Sequence, residues 1–179
     1  MAKDNFITEE LRKEADRVCS LYERKRAAIL PVLSLVQEKY GYIPVEAEGE
    51  VADYFGIPLS DVRELLSFYS LFHTNPIGEY HFQVCRNLSC ALMKGDEILA
   101  YLIERLGIQP GETTSDGRFT LSTVECLGAC EMAPMMQWNE QYVGPLTKEK
   151  IGEILKSCEK DRKQGGEPSI APLQAGAKS

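Results

Sequence analysis

The sequence predicts an α+β chain in which an N-terminal helical bundle is followed by an α/β domain holding a metal-type set of cysteines. Three observations predict it. Residues 1–79 carry helical periodicity, with glycine punctuating the second and third helices. Past Thr74–Glu79, where Pro76 and Gly78 fall, short alternating strands mix with helices. Four of the six cysteines then form two pairs, each following one of the strand-like runs.

Each element has its own reason. Thr8 is placed to cap a first helix running to about Tyr22, with Glu9 and Glu10 beside the positive end of its dipole and Leu11, Ala15, Val18 and Tyr22 on one face. Cys19 lies near that face and reads as a packing residue. A second helix covers about Lys25 to Tyr40 and is closed by Gly41. Pro31 is tolerated only in first turns, so the regular helix starts late, and apolar residues around much of its circumference predict the most buried helix of the bundle. Gly41-Tyr-Ile-Pro44 is a turn, Glu46 to Phe55 a third helix ended by Gly56, and Ser60 the cap of a fourth that carries Val62, Leu65, Leu66, Phe68, Tyr69 and Phe72.

In the second part, Tyr80 to Val84 reads as a strand with Tyr80, Phe82 and Val84 on one side, leaving His81 outward. Ala91 to Leu106 reads as a helix with Leu92, Ile98, Leu99, Leu102 and Leu106 mostly inward, and Phe119 to Val124 as the next strand. Met135–Trp138 and Tyr142–Val143 follow as short strands turning at Asn139-Glu140, and Thr147 caps a last helix to about Cys158. That order, strand, helix, three strands, helix, is thioredoxin-like. The expected domains are 1–79, 80–158 and a polar Gly- and Pro-rich tail, 159–179, with too little apolar surface to order itself.

Composition excludes some functions. A net charge of −7 argues against nucleic acid. Val51 to Val62 has the rhythm of a helix-turn-helix, yet Asp61–Phe72 offers only Arg63 for reading base edges, and residues 1–79 carry nine Lys and Arg against fourteen Asp and Glu, 9 − 14 = −5. The region reads instead as a helical docking module. No apolar run approaches the roughly 20 residues needed to span a bilayer, and Met1–Glu10 lacks a signal-peptide core, so a cytoplasmic chain without direct membrane insertion is expected. There thiols stay reduced, and paired cysteines point to metal or redox chemistry. Neither a Gly-x-Gly-x-x-Gly dinucleotide fingerprint nor a P-loop is present in this sequence. His73 and His81 form no zinc-hydrolase spacing, and no catalytic residue is assigned.

The chemistry concentrates in Cys85-Arg-Asn-Leu-Ser-Cys90 and Val124-Glu-Cys126-Leu-Gly-Ala-Cys130-Glu-Met-Ala-Pro134. Loops leaving neighbouring strand ends bring four thiolates together, although 35 residues separate Cys90 from Cys126. The count fits a 2Fe-2S cluster, and the spacing fits zinc as well. Gly128 favours the cluster, because it lets the loop turn its N–H groups toward sulfur. A dithiol oxidoreductase normally uses Cys-x-x-Cys, which is absent. Glu125 and Glu131 beside the ligands favour a low potential.

These motifs resemble the thioredoxin-like 2Fe-2S ferredoxin family, and within it the small iron-sulfur (24 kDa or E) subunits of NADH:quinone oxidoreductase, complex I. Lys25-Arg26, Gly41-Tyr-Ile-Pro44, Ser67-Phe-Tyr69 with Phe72, Gly107-Ile-x-Pro-Gly111, Asp116-Gly-x-Phe119 and Leu146-Thr-x-Glu-Lys150 fall where similar elements occur, over about residues 6–158. The resemblance implies that Cys85, Cys90, Cys126 and Cys130 hold one 2Fe-2S cluster, which accepts single electrons. It also implies a larger partner subunit that binds FMN and NADH, docking through the N-terminal helices, and a peripheral place on the cytoplasmic face of the inner membrane. Equivalent subunits serve NAD-linked hydrogenases and formate dehydrogenases. Asn87-Leu-Ser-Cys90 lacks the proline that precedes the second cysteine in some complex I members.

Overall fold

The computed structural model describes residues 6–164. The chain divides between Pro76 and Ile77 into two compact units. No helix among the described residues is long and apolar enough to cross a membrane.

The first unit is helical. Its α1, Glu9–Cys19, starts at Thr8, whose hydroxyl accepts the Leu11 N–H. The helix stops at Cys19 rather than Tyr22, because Ser20 turns its hydroxyl back onto the Arg17 carbonyl and the chain bends with Leu21 and Tyr22 exposed. A 3-10 turn, Lys25–Ala28, leads into α2, Ile29–Tyr40, so Pro31 lies in the first turn and Gly41 closes the helix at φ 78°. Then come α3, Val45–Phe55, and α4, Leu59–Phe68. Two expectations are corrected here. Ser60 is not the α4 cap: Pro58 occupies that position in extended backbone (φ −60°, ψ 143°) with no side-chain cap, and Ser60 lies inside the first turn. Nor does α2 lead in burial. It buries Ile29, Val32, Leu33 and Val36, while α3 buries Ala47, Glu48, Val51, Ala52 and Tyr54. Hydropathy hid this because Glu48 enters the interior with a partner, the Arg63 guanidinium at 2.8 Å. Arg63, the α4 side chain suited to base edges, is therefore held by a carboxylate.

The second unit is built on a four-stranded sheet ordered β2-β1-β3-β4. Strand β1, Tyr80–Cys85, runs parallel to β2, Phe119–Val124, and antiparallel to β3, Met136–Trp138, which pairs antiparallel with β4, Gln141–Val143. Tyr80, Phe82 and Val84 enter one apolar core with Ile98 and Leu102 of α6, Gly95–Leu106, and Ile151 and Ile154 of α7, Lys148–Gln164. Cys158 is fully buried in that core, as a packing residue should be.

Three readings change. The helix expected from Ala91 to Leu106 is two: α5, Leu88–Leu92, and α6, separated by Lys94 in the left-handed region at φ 70°. The break lets α6 pack on the sheet while α5 stays beside the cysteines, and it leaves Leu92, expected inward, 75% exposed. His81 is not outward but 5% exposed: its Nε2 is hydrogen-bonded to the Ser122 hydroxyl, and its backbone N–H donates to the Asn139 side chain. A polar residue at an alternating position is read as solvated, yet the neighbouring strand supplies a partner that permits burial. Finally, α7 continues past Cys158 to Gln164. Glu, Lys, Arg and Gln are good helix formers, so low apolarity alone misplaced the start of the tail. The rest of the expected tail, 165–179, lies outside the described residues.

Candidate metal centre

The site grows from the parallel pairing of β1 and β2. Cys85 ends β1 opposite Val124, the last residue of β2, and the ladder extends one step further as the Arg86 N–H donates to the Val124 carbonyl at 3.0 Å. Cys126 thus leaves its strand beside Cys85. The Cys85 N–H donates to the Met135 carbonyl at 3.1 Å, drawing the segment after the second pair onto the same strand end.

The first pair is shaped by α5. Asn87 caps it, its side-chain oxygen accepting the Leu88 N–H at 2.8 Å, and Cys90 points inward from the third helical position. Cys90 is therefore on a short helix, not the loop expected. The second pair sits on irregular backbone: Gly128 takes φ 74°, and its N–H donates to the Cys126 sulfur at 3.4 Å. That is the contact expected of this glycine. Cys130 opens a 3-10 turn, Cys130–Met132, which precedes a cis Ala133–Pro134 bond.

All four cysteines line one pocket, with Asn87 and Ser89 from the first segment and Gly128, Ala129 and Met135 from the second. The pairs differ in exposure: Cys85 and Cys90 are buried, Cys126 and Cys130 exposed. Burial pushes the Cys90 thiol above its ordinary pKa; a backbone hydrogen bond from Met135 works against this, while Cys85 and Cys130 add to the rise. The Cys90 thiol thus resists ionisation until cations arrive to neutralise it. Among the described residues, no three His, Cys, Asp or Glu side chains close on a single-ion point; the thiols stand around a shared space. Four soft sulfur donors, with an N–H directed at one of them, fit an iron-sulfur cluster.

Cys19 and Cys158 are not brought to the pocket. Cys19 lies in the helical unit, where it receives the Tyr54 hydroxyl at 3.6 Å. His73 and His81 do not line the pocket either. Glu125, expected to lower the potential, faces the Arg86 guanidinium at 3.6 Å, so its charge is partly offset. Sequence reasoning missed two glycines behind the site. A Cβ on Gly95 would lie 2.8 Å from the Cys90 carbonyl oxygen, and one on Gly144 would run into that of Met132. The only signal available was the Gly-Pro turn at Gly144-Pro145.

A thioredoxin-type sheet presenting four cysteines around one pocket defines a class of small iron-sulfur proteins. Residues 15–159 match the thioredoxin-like [2Fe-2S] ferredoxin family, and the chain belongs to it, with a 2Fe-2S cluster as its cofactor. The chain is 46% identical over 147 residues to the second E-type subunit of NADH-quinone oxidoreductase from Rhizobium meliloti, covering 82% of this chain and 88% of the relative. It is 44% identical over 154 residues to NADH-quinone oxidoreductase subunit 2 of Thermus thermophilus, covering 86% and 82% respectively. Among solved structures, an NAD+-reducing [NiFe]-hydrogenase in the air-oxidized state shares the fold, with TM-score 0.65 and 21% identity over 83% of this chain. This chain spans only 26% of that hydrogenase chain.

Proposed function

We propose that this chain is the electron-transfer subunit of an NADH:quinone oxidoreductase. Cys85, Cys90, Cys126 and Cys130 ligate its single 2Fe-2S cluster, which exchanges one electron at a time with the flavin of a partner. The observation that carries this reading is the meeting of all four cysteines around one pocket at the ends of two parallel strands. FMN and NADH bind to the larger partner subunit, since no dinucleotide fingerprint occurs here. The helical unit, roughly residues 1–79, contributes docking surface, and the whole sits at the cytoplasmic face of the membrane without entering it. Exposed apolar side chains suit a protein partner in both units: Phe68 and Leu71 in the first, Leu88, Leu92 and Met93 in the second. A second reading, the equivalent subunit of an NAD-linked hydrogenase, rests on the shared fold. Relatives at 41–46% identity carry the quinone-reductase name, which favours the first.

The test is anaerobic purification, iron and acid-labile sulfide analysis, and EPR before and after dithionite. Iron and sulfide in equal amounts, a silent oxidised state and a paramagnetic reduced state are expected. A colourless protein holding zinc would replace the carrier with an adaptor. The ligand set has its own check: Cys19→Ser and Cys158→Ala are expected to keep full iron content, while Cys→Ala at any of the four pocket positions loses it. Iron loss in either of the first two variants means the ligands are misassigned.

A further inference from the structure

The segments bearing the cysteine pairs place charge directly beside ligand positions, Arg86 in the first and Glu125 and Glu131 in the second, and of these Arg86 and Glu125 face each other with opposite sign. Arg86 follows Cys85, Glu125 precedes Cys126, and Arg86 Nε stands 3.6 Å from Glu125 Oε1. Backbone contacts fix their positions. The Arg86 N–H is bonded to the Val124 carbonyl at 3.0 Å, and the Cys85 thiol is directed at the Glu125 carbonyl at 3.9 Å. Both side chains remain well exposed, 58% for Arg86 and 80% for Glu125. An exposed ion pair of this kind adds little to folding stability, so its place beside two ligand cysteines calls for another account.

We propose that Arg86 and Glu125 set the reduction potential of the cluster as an opposed pair, Arg86 favouring the reduced form and Glu125 the oxidised form. This rests on the ligand assignment above. Taking up one electron makes an anionic iron-sulfur-thiolate unit more negative while the protein's own groups keep their charges. The guanidinium stabilises that added charge, and the carboxylate destabilises it by a comparable amount. Each half is a tuning element whose effect is hidden while the other is present. Solvent screening keeps each effect modest, about a threefold change in the reduced-to-oxidised ratio at fixed ambient potential.

The experiment is an EPR-monitored redox titration of the full chain holding its cluster, at low and at high salt. Arg86→Gln is expected to lower the reduced-to-oxidised ratio about threefold and Glu125→Gln to raise it about threefold, with the double variant close to the parent. Arg86→Lys keeps the charge and restores the parent value, and both single shifts shrink at high salt. If the pair only ties the two segments together, the single variants move in the same direction, Arg86→Lys does not rescue, and the proposal is overturned. Unshifted single variants overturn it equally. A parent protein with no iron-sulfur signal is the distinct result, because it removes the ligand assignment itself.

Discussion

Gly144→Ala empties the pocket of most of its iron. The added methyl would overlap the Met132 carbonyl oxygen and lie 2.8 Å from Met132 Cβ and 3.0 Å from Met135 Cβ. None of these atoms is the free end of a flexible side chain. The backbone just after Cys130 must move, and Met135, whose carbonyl holds the Cys85 N–H, moves with it. Overpacking costs about 1–3 kcal/mol when side chains can yield, and here they cannot, so the upper end or beyond is expected. Gly95→Ala is the milder companion, meeting the Cys90 carbonyl oxygen at 2.8 Å and displacing the first segment. Gly152→Ala is the control: in α7, with nothing within 4 Å of the new methyl, it should hold iron and gain up to about 1 kcal/mol of helix propensity. Iron content, the visible spectrum and Tm decide it. A Gly144→Ala protein with full iron and an unchanged Tm would mean that the second segment is not held from behind.

These glycines show where a sequence stops being legible. The four cysteines announce themselves through residue type and spacing, and the strands feeding them through alternation, so the site and its sheet could be read from the chain. What backs the site could not. Gly144 looks like half of a Gly-Pro turn; its role lies in a contact with Met132, twelve positions away, that no local pattern records. The division of one expected helix into α5 and α6 was hidden for a related reason. Leu92 keeps helical phase with Leu99, seven residues on, and the left-handed Lys94 breaks the continuity. His81 and Glu48 share a third reason: hydropathy treats a polar residue as though it were unpartnered, and Ser122 and Arg63 supply partners from other elements. Charge near the site followed the same rule. Glu125 by itself predicts a lowered potential, whereas Glu125 facing Arg86 predicts partial cancellation.

Phe82→Ala produces the largest loss of stability. Phe82 is fully buried in β1, between β2 and β3, opposite Leu121 on one side and Trp138 on the other. Its ring meets Trp138 edge-on at 6.0 Å and Phe119 at 5.7 Å. Truncation removes the ring and leaves a cavity among large side chains fixed by the sheet, so about 3–5 kcal/mol is expected, against a total stability for a domain of about 5–15 kcal/mol. Tm should fall by on the order of 15 °C or more. The loss reaches the metal centre along the strand, because Cys85 lies three residues further on and its position depends on the pairing of β1 with both neighbours. A cluster that binds only the folded chain recovers part of the loss by linkage. The expected result is therefore a cluster-free variant largely unfolded at about 37 °C beside a cluster-loaded variant that stays folded but releases iron faster to a chelator. Phe82→Leu, which keeps most of the volume, should cost less than about 1.5 kcal/mol. A loss under about 1 kcal/mol for Phe82→Ala would show that the sheet collapses around the gap, and that the pocket end of β1 is positioned by the loops alone.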